Sequence, residues 1–365
     1  MTIEKTQPAK RRVKAVSHSG PPATVTVVIP CYNYARFLTQ AVESALQQEE
    51  VSVDVIIVDD KSTDDSLAVA HGLMRLHTAV KVVENPHNRG PVETFNAGVA
   101  GAAGEFLVRL DADDMLTPGS LKRAVDVARS FPRVGLIYGH PLHFSGATPP
   151  AARIRATGWT VWAGQHWLRE RCLNGYNVIT SPEVVMRRSA VQHVGPQQPL
   201  KHAHDMEMWF RISAYYDVAY IHGADQAWHR EHPESLSARE VDELVDFNER
   251  AEAFEVLFTG IAAELPGSED LHRTAKRTLA NQALDAANHE CDCGRGDGRL
   301  VQDFVESASL LVEDIRRLPG WNRLQNRSSL GAFKALSPLA SLRRRAWRRL
   351  SDQVAWWRWH RQGIF

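Results

Sequence analysis

Asp59-Asp60 and Asp111-Ala112-Asp113-Asp114 lie about fifty residues apart, each directly after an apolar run, Val53 to Val58 and Phe106 to Leu110. The two carboxylates of a D-x-D flank a tight turn and can share one divalent cation, which then neutralises a diphosphate leaving group. Such a pair therefore suits a nucleotide diphosphate and its metal. An apolar run of this length bounded by polar residues reads as a buried parallel strand. Each acidic pair is then expected at a strand's C-terminal end, where open α/β sheets bind ligands.

The surrounding residues supply the elements that must hold these groups. Thr24 to Pro30 is β-branched and reads as a strand. After Cys31-Tyr32-Asn33-Tyr34, apolar residues at Phe37, Leu38, Ala41, Val42, Ala45 and Leu46 fit a helix that buries one face. Asp54 to Val58 is the second strand, and Ser62, with Asp65 three residues on, is the expected N-cap of a helix running to about His77. Val80 to Glu84 and Phe106 to Leu110 are further strands, Val92 to Ala102 is a small-residue helix, and Pro118 is expected at the first helical position of the next one. Strands alternating with helices at this spacing imply an α/β fold, a mostly parallel central sheet flanked by helices.

Four motifs stand in order: Val28-Ile29-Pro30-Cys31-Tyr32-Asn33, Val58-Asp59-Asp60-Lys61-Ser62-Thr63-Asp64-Asp65, Asn88-Arg89-Gly90 with Asn96-Ala97-Gly98, and Leu110-Asp111-Ala112-Asp113-Asp114. Together they closely resemble the nucleotide-sugar-binding half of inverting family 2 glycosyltransferases of the GT-A fold. The resemblance covers about residues 24 to 237 and is least informative over 139 to 175. A lone D-x-D would be weak evidence; four motifs in order are strong.

Carried over position by position, the resemblance makes Tyr32 the aromatic that packs on the nucleobase and Asp60 the carboxylate that accepts from a uracil-like base edge, which agrees with the hydrogen-bonding capacity of each. It also assigns Pro30, Asn33 and Ser62 to the nucleotide side. Asp59 reads equally well as a solvated strand end. Asp111 and Asp113 look like the sugar-diphosphate and metal residues, Asp113 being the direct ligand. Oxygen donors suit Mn2+ or Mg2+, and a closed protein cage is not expected, because Mg2+ typically binds through one or two carboxylates plus substrate phosphates. Arg89 resembles the family residue near the sugar or phosphate.

Inverting transfer also needs a base that takes the acceptor's proton. In His202-Ala203-His204-Asp205-Met206-Glu207-Met208-Trp209 the resemblance puts Asp205 at the base position, with His204 where the family commonly has glutamate. A protonated His204 would lower the Asp205 pKa. Asp205 also suits a helix N-cap, and Glu207 is the fallback base, although helix geometry points it elsewhere. Trp228 to Ser237 resembles the segment that closes over the diphosphate. It nominates Arg230 as a phosphate-capping group, with His229 beside it, and His232 as a further metal ligand.

The 365 residues carry 43 basic and 43 acidic side chains, so no global field recruits nucleic acid. Residues 1–23 read as a disordered basic tail and not as a signal peptide. Residues 24–237 form the expected catalytic domain, 238–341 a helical C-terminal region, and 342–365 an Arg/Trp-rich amphipathic tail whose composition matches an interfacial anchor on an anionic membrane. No apolar run is long enough to span a bilayer. Four cysteines, Cys31, Cys172, Cys291 and Cys293, suggest a reducing cytosol, and Cys291-Asp292-Cys293 is too tight for a zinc site.

The expectation is a metal-dependent glycosyltransferase working with inversion from a nucleotide-diphospho-sugar, a UDP-sugar favoured. It would act in the cytoplasm or peripherally on the inner face of the membrane, in polysaccharide or glycoconjugate synthesis. The acceptor stays open among a saccharide, a lipid-linked saccharide and a protein, as does a homo-oligomer. The competing readings are a nucleotidyltransferase, which should show a Gly-rich phosphate loop where Pro30-Cys31-Tyr32-Asn33 stands, and a catalytically silent nucleotide-sugar-binding protein, which should lack the base or the metal ligands.

Overall fold

The computed structural model describes residues 9–235, 242–295, 298–328 and 338–362. The first eight residues of the expected basic tail, the expected domain boundary at 237/238 and residues 296–297, 329–337 and 363–365 of the expected C-terminal regions lie outside them. The chain forms two compact units: Met1–Leu168 with Ile179–Arg239, and Arg169–Val178 with Glu240–Phe365.

The first unit is built on one sheet. Its strands are β1 (Lys10–Val13), β2 (Ala23–Cys31), β3 (Val51–Asp59), β4 (Val80–Glu84), β5 (Phe106–Arg109), β6 (Met115–Leu116), β7 (Val134–Phe144), β8 (Gly158–Trp162), β9 (Val185–Arg187) and β10 (Asp217–Arg230). They stand in the order β1-β8-β10-β7-β9-β5-β2-β3-β4, with β6 paired to β10. The longest pairings, β2 with β3 and β7 with β10, are parallel, as are β2 with β5 and β3 with β4. The short β9 runs antiparallel between β5 and β7 and joins the parallel β4-β3-β2-β5 set to the parallel β7–β10 pair, beyond which β8 is antiparallel to β10. The helices are α1 (Ala35–Leu46), α2 (Ser66–Leu76), α3 (Gly90–Ala100), α4 (Ser120–Ser130), α5 (Gly164–Asn174), whose end enters the second unit, α6 (Arg188–Val194) and α7 (His204–Tyr215).

Burial follows the pattern expected of a covered parallel sheet. Val25, Val27, Ile29, Val55, Ile57 and Val108 are fully buried, and Leu38, Ala41, Val42 and Ala45 of α1 pack in the same core. Gly98 lets α3 close onto the sheet, since a Cβ there would meet Val28 Cγ1 at 2.3 Å. Parallel strands joined by helices bring the C-terminal ends of β2, β3 and β5 to one edge, which gathers the loops after Cys31, Asp59 and Arg109.

Three expectations change. The basic segment is not a tail over residues 10–13: β1 pairs antiparallel with β8 in the register Lys10 to Trp162 and Val13 to Trp159. Its cations lie on rings, Lys10 Nζ 5.4 Å from the Trp162 centroid and Arg11 4.3 Å from Phe131. An open sheet edge supplies backbone partners that composition alone does not reveal. Ser62 does not cap α2, which starts four residues later behind Asp65. Pro118 does not open α4 either: Gly119 intervenes in the left-handed region at φ 72°, and the helix begins at Ser120.

The second unit is helical: α8 (Glu243–Thr259), α9 (Ser268–Asp292), α10 (Arg299–Leu311), α11 (Pro319–Ser328) and α12 (Pro338–Gln362). Residues 169–178, expected in the catalytic domain, belong to it. Arg250 of α8 and Gln282 of α9 donate to the carbonyls of Gly175 and Asn174, so the segment's backbone is satisfied by these helices.

Candidate active site

On the nucleotide side, two loops are laced together by short polar groups. Asn33 adopts φ 61°, a left-handed conformation that asparagine tolerates well. Its Oδ1 accepts from the Thr63 amide at 2.7 Å, and its own amide donates to Ser62 Oγ at 3.0 Å. Asn33 and Ser62 thus position the loops after β2 and β3. Asp59 is buried and accepts from the Ser62 amide at 3.1 Å, so it is part of this turn and not a solvated strand end.

Asp60 is buried and accepts from Asn85 Nδ2 at 2.8 Å and from the amides of Arg89 and Gly90 at 2.8 and 2.9 Å. A carboxylate offers about four acceptor sites, so these three bonds fix its orientation and leave room for one more donor, such as an imide N–H. Tyr32 stands exposed just past β2, and Pro30 is half-buried at its end. The exposed Arg89 guanidinium pairs with Glu93 at 3.1 Å, one helical turn on, and its backbone amide donates to Asp60.

On the metal side, the Asp111–Asp114 turn is closed by the Asp114 amide donating to the Asp111 carbonyl at 3.0 Å. Asp113 Oδ2 lies 2.9 Å from His232 Nε2. Burial, then the neighbouring Asp114 and Asp111 carboxylates, pushes the Asp113 pKa well above the ordinary range. Burial and Arg36 pull His232 below its usual value, so its imidazole is neutral at pH 7. Its Nδ1 is buried without a hydrogen-bond partner, and the Tyr34 and Phe37 rings flank it at centroid distances of 5.9 and 5.3 Å. Among the described residues no three His, Cys, Asp or Glu side chains converge into a metal cage. Crowded, dehydrated carboxylates beside a neutral imidazole fit a hard divalent cation whose remaining ligands come from phosphate.

Asp114 is committed elsewhere. It accepts from the Arg230 amide at 2.8 Å and pairs with His229 Nδ1 at 3.0 Å. Burial works against protonation of His229, but the Asp114 carboxylate outweighs it, with Glu183 and Asp113 adding to the effect, and the pKa rises to about 9. The expected phosphate-capping role of Arg230 does not match its surroundings. It is buried between Phe37 and Phe144, each ring centroid 4.6 Å away. Its guanidinium donates to the Asp113 and Gly146 carbonyls and to Gln40 Oε1. Arg230 braces the acidic turn from behind.

At the start of α7, Asp205 is the second residue of the helix, not its N-cap, and its Oδ1 accepts from the Met206 amide at 2.6 Å. Burial raises its pKa, an effect opposed by the Arg109 guanidinium and by His202 and reinforced by Asp111. Asp111 and Asp205 therefore share one electrostatic environment. His204 does not act as expected. Burial and then Arg109 hold it well below its usual pKa, so it is neutral and cannot lower that of Asp205 as a cation. Glu207 is fully buried in a two-point pair with Arg211 at 2.6 and 2.8 Å, which removes it as the fallback base.

Arg109 was not singled out from the sequence. It is buried at the end of β5 and donates to Asp111 Oδ1 at 3.1 Å and Gln197 Oε1 at 3.0 Å. The available signal was a charge inside the apolar run 106–110, a position where arginine stays buried only with partners. Glu183, buried and pushed up to about 7 by desolvation while accepting from the Thr180 amide and hydroxyl, left no such signal.

The family described as Glycosyl transferase family 2 matches residues 26–195. The chain is 38% identical over 104 residues to the succinoglycan biosynthesis protein ExoO of Rhizobium meliloti, a match covering 28% of this chain and 29% of that protein. The chain spans only about a third of the length of such curated relatives. Among solved structures, S. aureus TarS 1-349 in complex with UDP-GlcNAc aligns with a TM-score of 0.57 at 16% identity, covering 85% of this chain and 92% of that one. The mannosyltransferase PcManGT from Pyrobaculum calidifontis, in complex with GDP-Man and Mn2+, aligns with a TM-score of 0.52 at 17% identity, covering 87% and 83%. At these identities the structural matches establish the fold, which is GT-A.

Proposed function

Because residues 26–195 form a glycosyl transferase family 2 domain on a GT-A fold, we propose that the protein is a metal-dependent inverting hexosyltransferase. It moves sugar from a nucleotide-diphospho-sugar, UDP-linked by preference, to an acceptor hydroxyl. The observation that carries this reading is the electrostatic convergence of Asp205, Arg109 and Asp111 beside the Asp113–His232 pair. It sets a desolvated carboxylate, suited to take a proton, against a carboxylate turn suited to a metal diphosphate.

Tyr32 covers the base and Asp60, held by three donors, accepts from its edge. Asp113, His232 and Asp111 would hold Mn2+ or Mg2+, which when bound neutralises charge developing on the leaving diphosphate. Asp205 takes the acceptor's proton as the hydroxyl attacks from the face opposite the diphosphate. Arg109 holds Asp111 and keeps Asp205 ionisable, and Arg230 and His229 keep the acidic turn rigid. The nucleotide-sugars bound by TarS and PcManGT, and the Mn2+ of the latter, support the donor class and the metal. The succinoglycan protein supports an acceptor in polysaccharide or glycoconjugate synthesis. No described helix is long and apolar enough to cross a membrane; work in the cytoplasm or at its membrane surface is part of the proposal.

The test is a screen of UDP- and GDP-sugars for nucleoside diphosphate release with Mn2+ or Mg2+, with and without EDTA. Metal-dependent release from at least one donor is expected. Release that is undiminished by EDTA would remove the metal from the reading, and silence with every donor would remove the enzyme.

A further inference from the structure

The last helix of the second unit presents two unlike faces. One is pinned to its own unit: Arg344 donates to both Asp292 oxygens at 2.7 and 3.0 Å, Arg348 lies 3.7 Å from Glu243, and Trp359 Nε1 donates to the Val178 carbonyl at 2.7 Å. The other carries Trp347, Leu350, Val354 and Trp357, at 72%, 51%, 42% and 51% exposure. Their 3-4-3 spacing confines them to a sector of about 80°, a continuous stripe along roughly 15 Å of helix. Four large apolar side chains in one exposed row mark a contact surface.

The charges around the stripe identify what it contacts. Arg343 and Arg358 lie within about 60° of the stripe's midline, with Arg349 and Arg345 further round the helix; all four are exposed, and none forms an ion pair among the described residues. The helix has seven arginines against one acidic residue, Asp352. A second copy meeting this face would bring the same excess cation against it, which like-charge repulsion opposes. Aliphatic Leu350 and Val354 between the tryptophans give a base stack or a phosphate backbone nothing to bind. A layer of anionic headgroups over hydrocarbon satisfies both properties, the indole rings entering at headgroup depth and the guanidinium groups pairing with lipid phosphate.

We propose that the Trp347–Leu350–Val354–Trp357 face of α12 docks on the surface of an anionic lipid bilayer and holds the enzyme there. This rests on the surface of the second unit and not on the identity of donor or acceptor.

The test is flotation of the full chain with phosphatidylcholine vesicles, with or without about one third phosphatidylglycerol, which sets the negative surface potential. Wild type should float with the anionic vesicles and not the neutral ones. W347E should bind about tenfold more weakly or worse. R343E/R358E should bind about 25-fold more weakly, at about fivefold per basic residue near the surface. Both variants change exposed side chains, so their unfolding midpoints and any nucleotide release should match wild type. Equal flotation of wild type and both variants, or none by wild type, would overturn the proposal. So would a dimer in gel filtration that W347E dissociates, or capture by a nucleic-acid duplex in place of vesicles.

Discussion

His232 Nε2 and Asp113 Oδ2 meet at 2.9 Å across 119 residues of sequence. The contact joins the acidic turn after β5 to the segment after β10, so under the proposed function both would have to be in place for a cation to bind. H232Q and D113N should therefore each weaken metal-dependent nucleotide binding by about 10- to 100-fold, with little effect on nucleotide binding in EDTA. Titration calorimetry with UDP and Mn2+ checks this. Unchanged affinity in both variants would remove the pair from the metal site.

Asp205 should govern turnover and not donor binding. D205N keeps the shape but cannot take the proton, so kcat should fall by roughly two to four orders of magnitude while donor KM stays within a small factor. Because burial holds the Asp205 proton more tightly than usual, wild-type activity should rise with pH along an acid limb above the ordinary carboxylate range. A limb at the usual carboxylate position would contradict the desolvated base.

Arg109 is the largest influence opposing the raised Asp205 pKa. R109M removes the cation and should move the acid limb to still higher pH, with kcat/KM falling by about tenfold or more at neutral pH. R109K, which keeps a charge but not the fork that spans Asp111 and Gln197, should restore the limb but only part of the rate. A pH–rate profile of the three proteins separates these outcomes from a simple loss of folding.

His229 links stability to pH. Its folded-state pKa of about 9 lies above the ordinary 6.5, so the stabilisation is complete below pH 6.5 and fades as pH rises through 9. At roughly 1.4 kcal/mol per pKa unit the contribution is at most about 3.5 kcal/mol. Urea unfolding in EDTA at pH 6 and pH 9.5 should show wild type losing more stability between the two than H229Q. Parallel losses would assign the linkage to other groups.

At Gly98 the effect should be purely steric. G98A drives a Cβ into Val28 and Val58, so about 1–3 kcal/mol of stability should be lost by overpacking. Thermal unfolding checks this, and an unchanged midpoint would mean that α3 shifts without penalty.

The parts of this molecule legible in its sequence are those where a local pattern and a chemical role coincide. The apolar runs ending at Asp59 and Asp111 gave both the strands and the edge of the sheet that holds the site. Long-range partnership was not legible. Arg230 has the residue type that binds phosphate, but Phe37, Phe144 and the Asp113 carbonyl enclose it. The basic residues of β1 gave no strand signal because their order depends on an open edge of β8 some 150 residues away. His204 looked like a cation beside the base until its burial next to Arg109 made it neutral.

The central claim is single displacement assisted by Asp205, and the most direct measurement is the anomeric configuration of the first product. Proton NMR of an accepted α-linked nucleotide-sugar, with Mn2+ and either acceptor or water as nucleophile, should show the β anomer before mutarotation, and D205N should form it far more slowly. Retention of the α configuration, or an inverted product formed equally fast by D205N, would contradict the account.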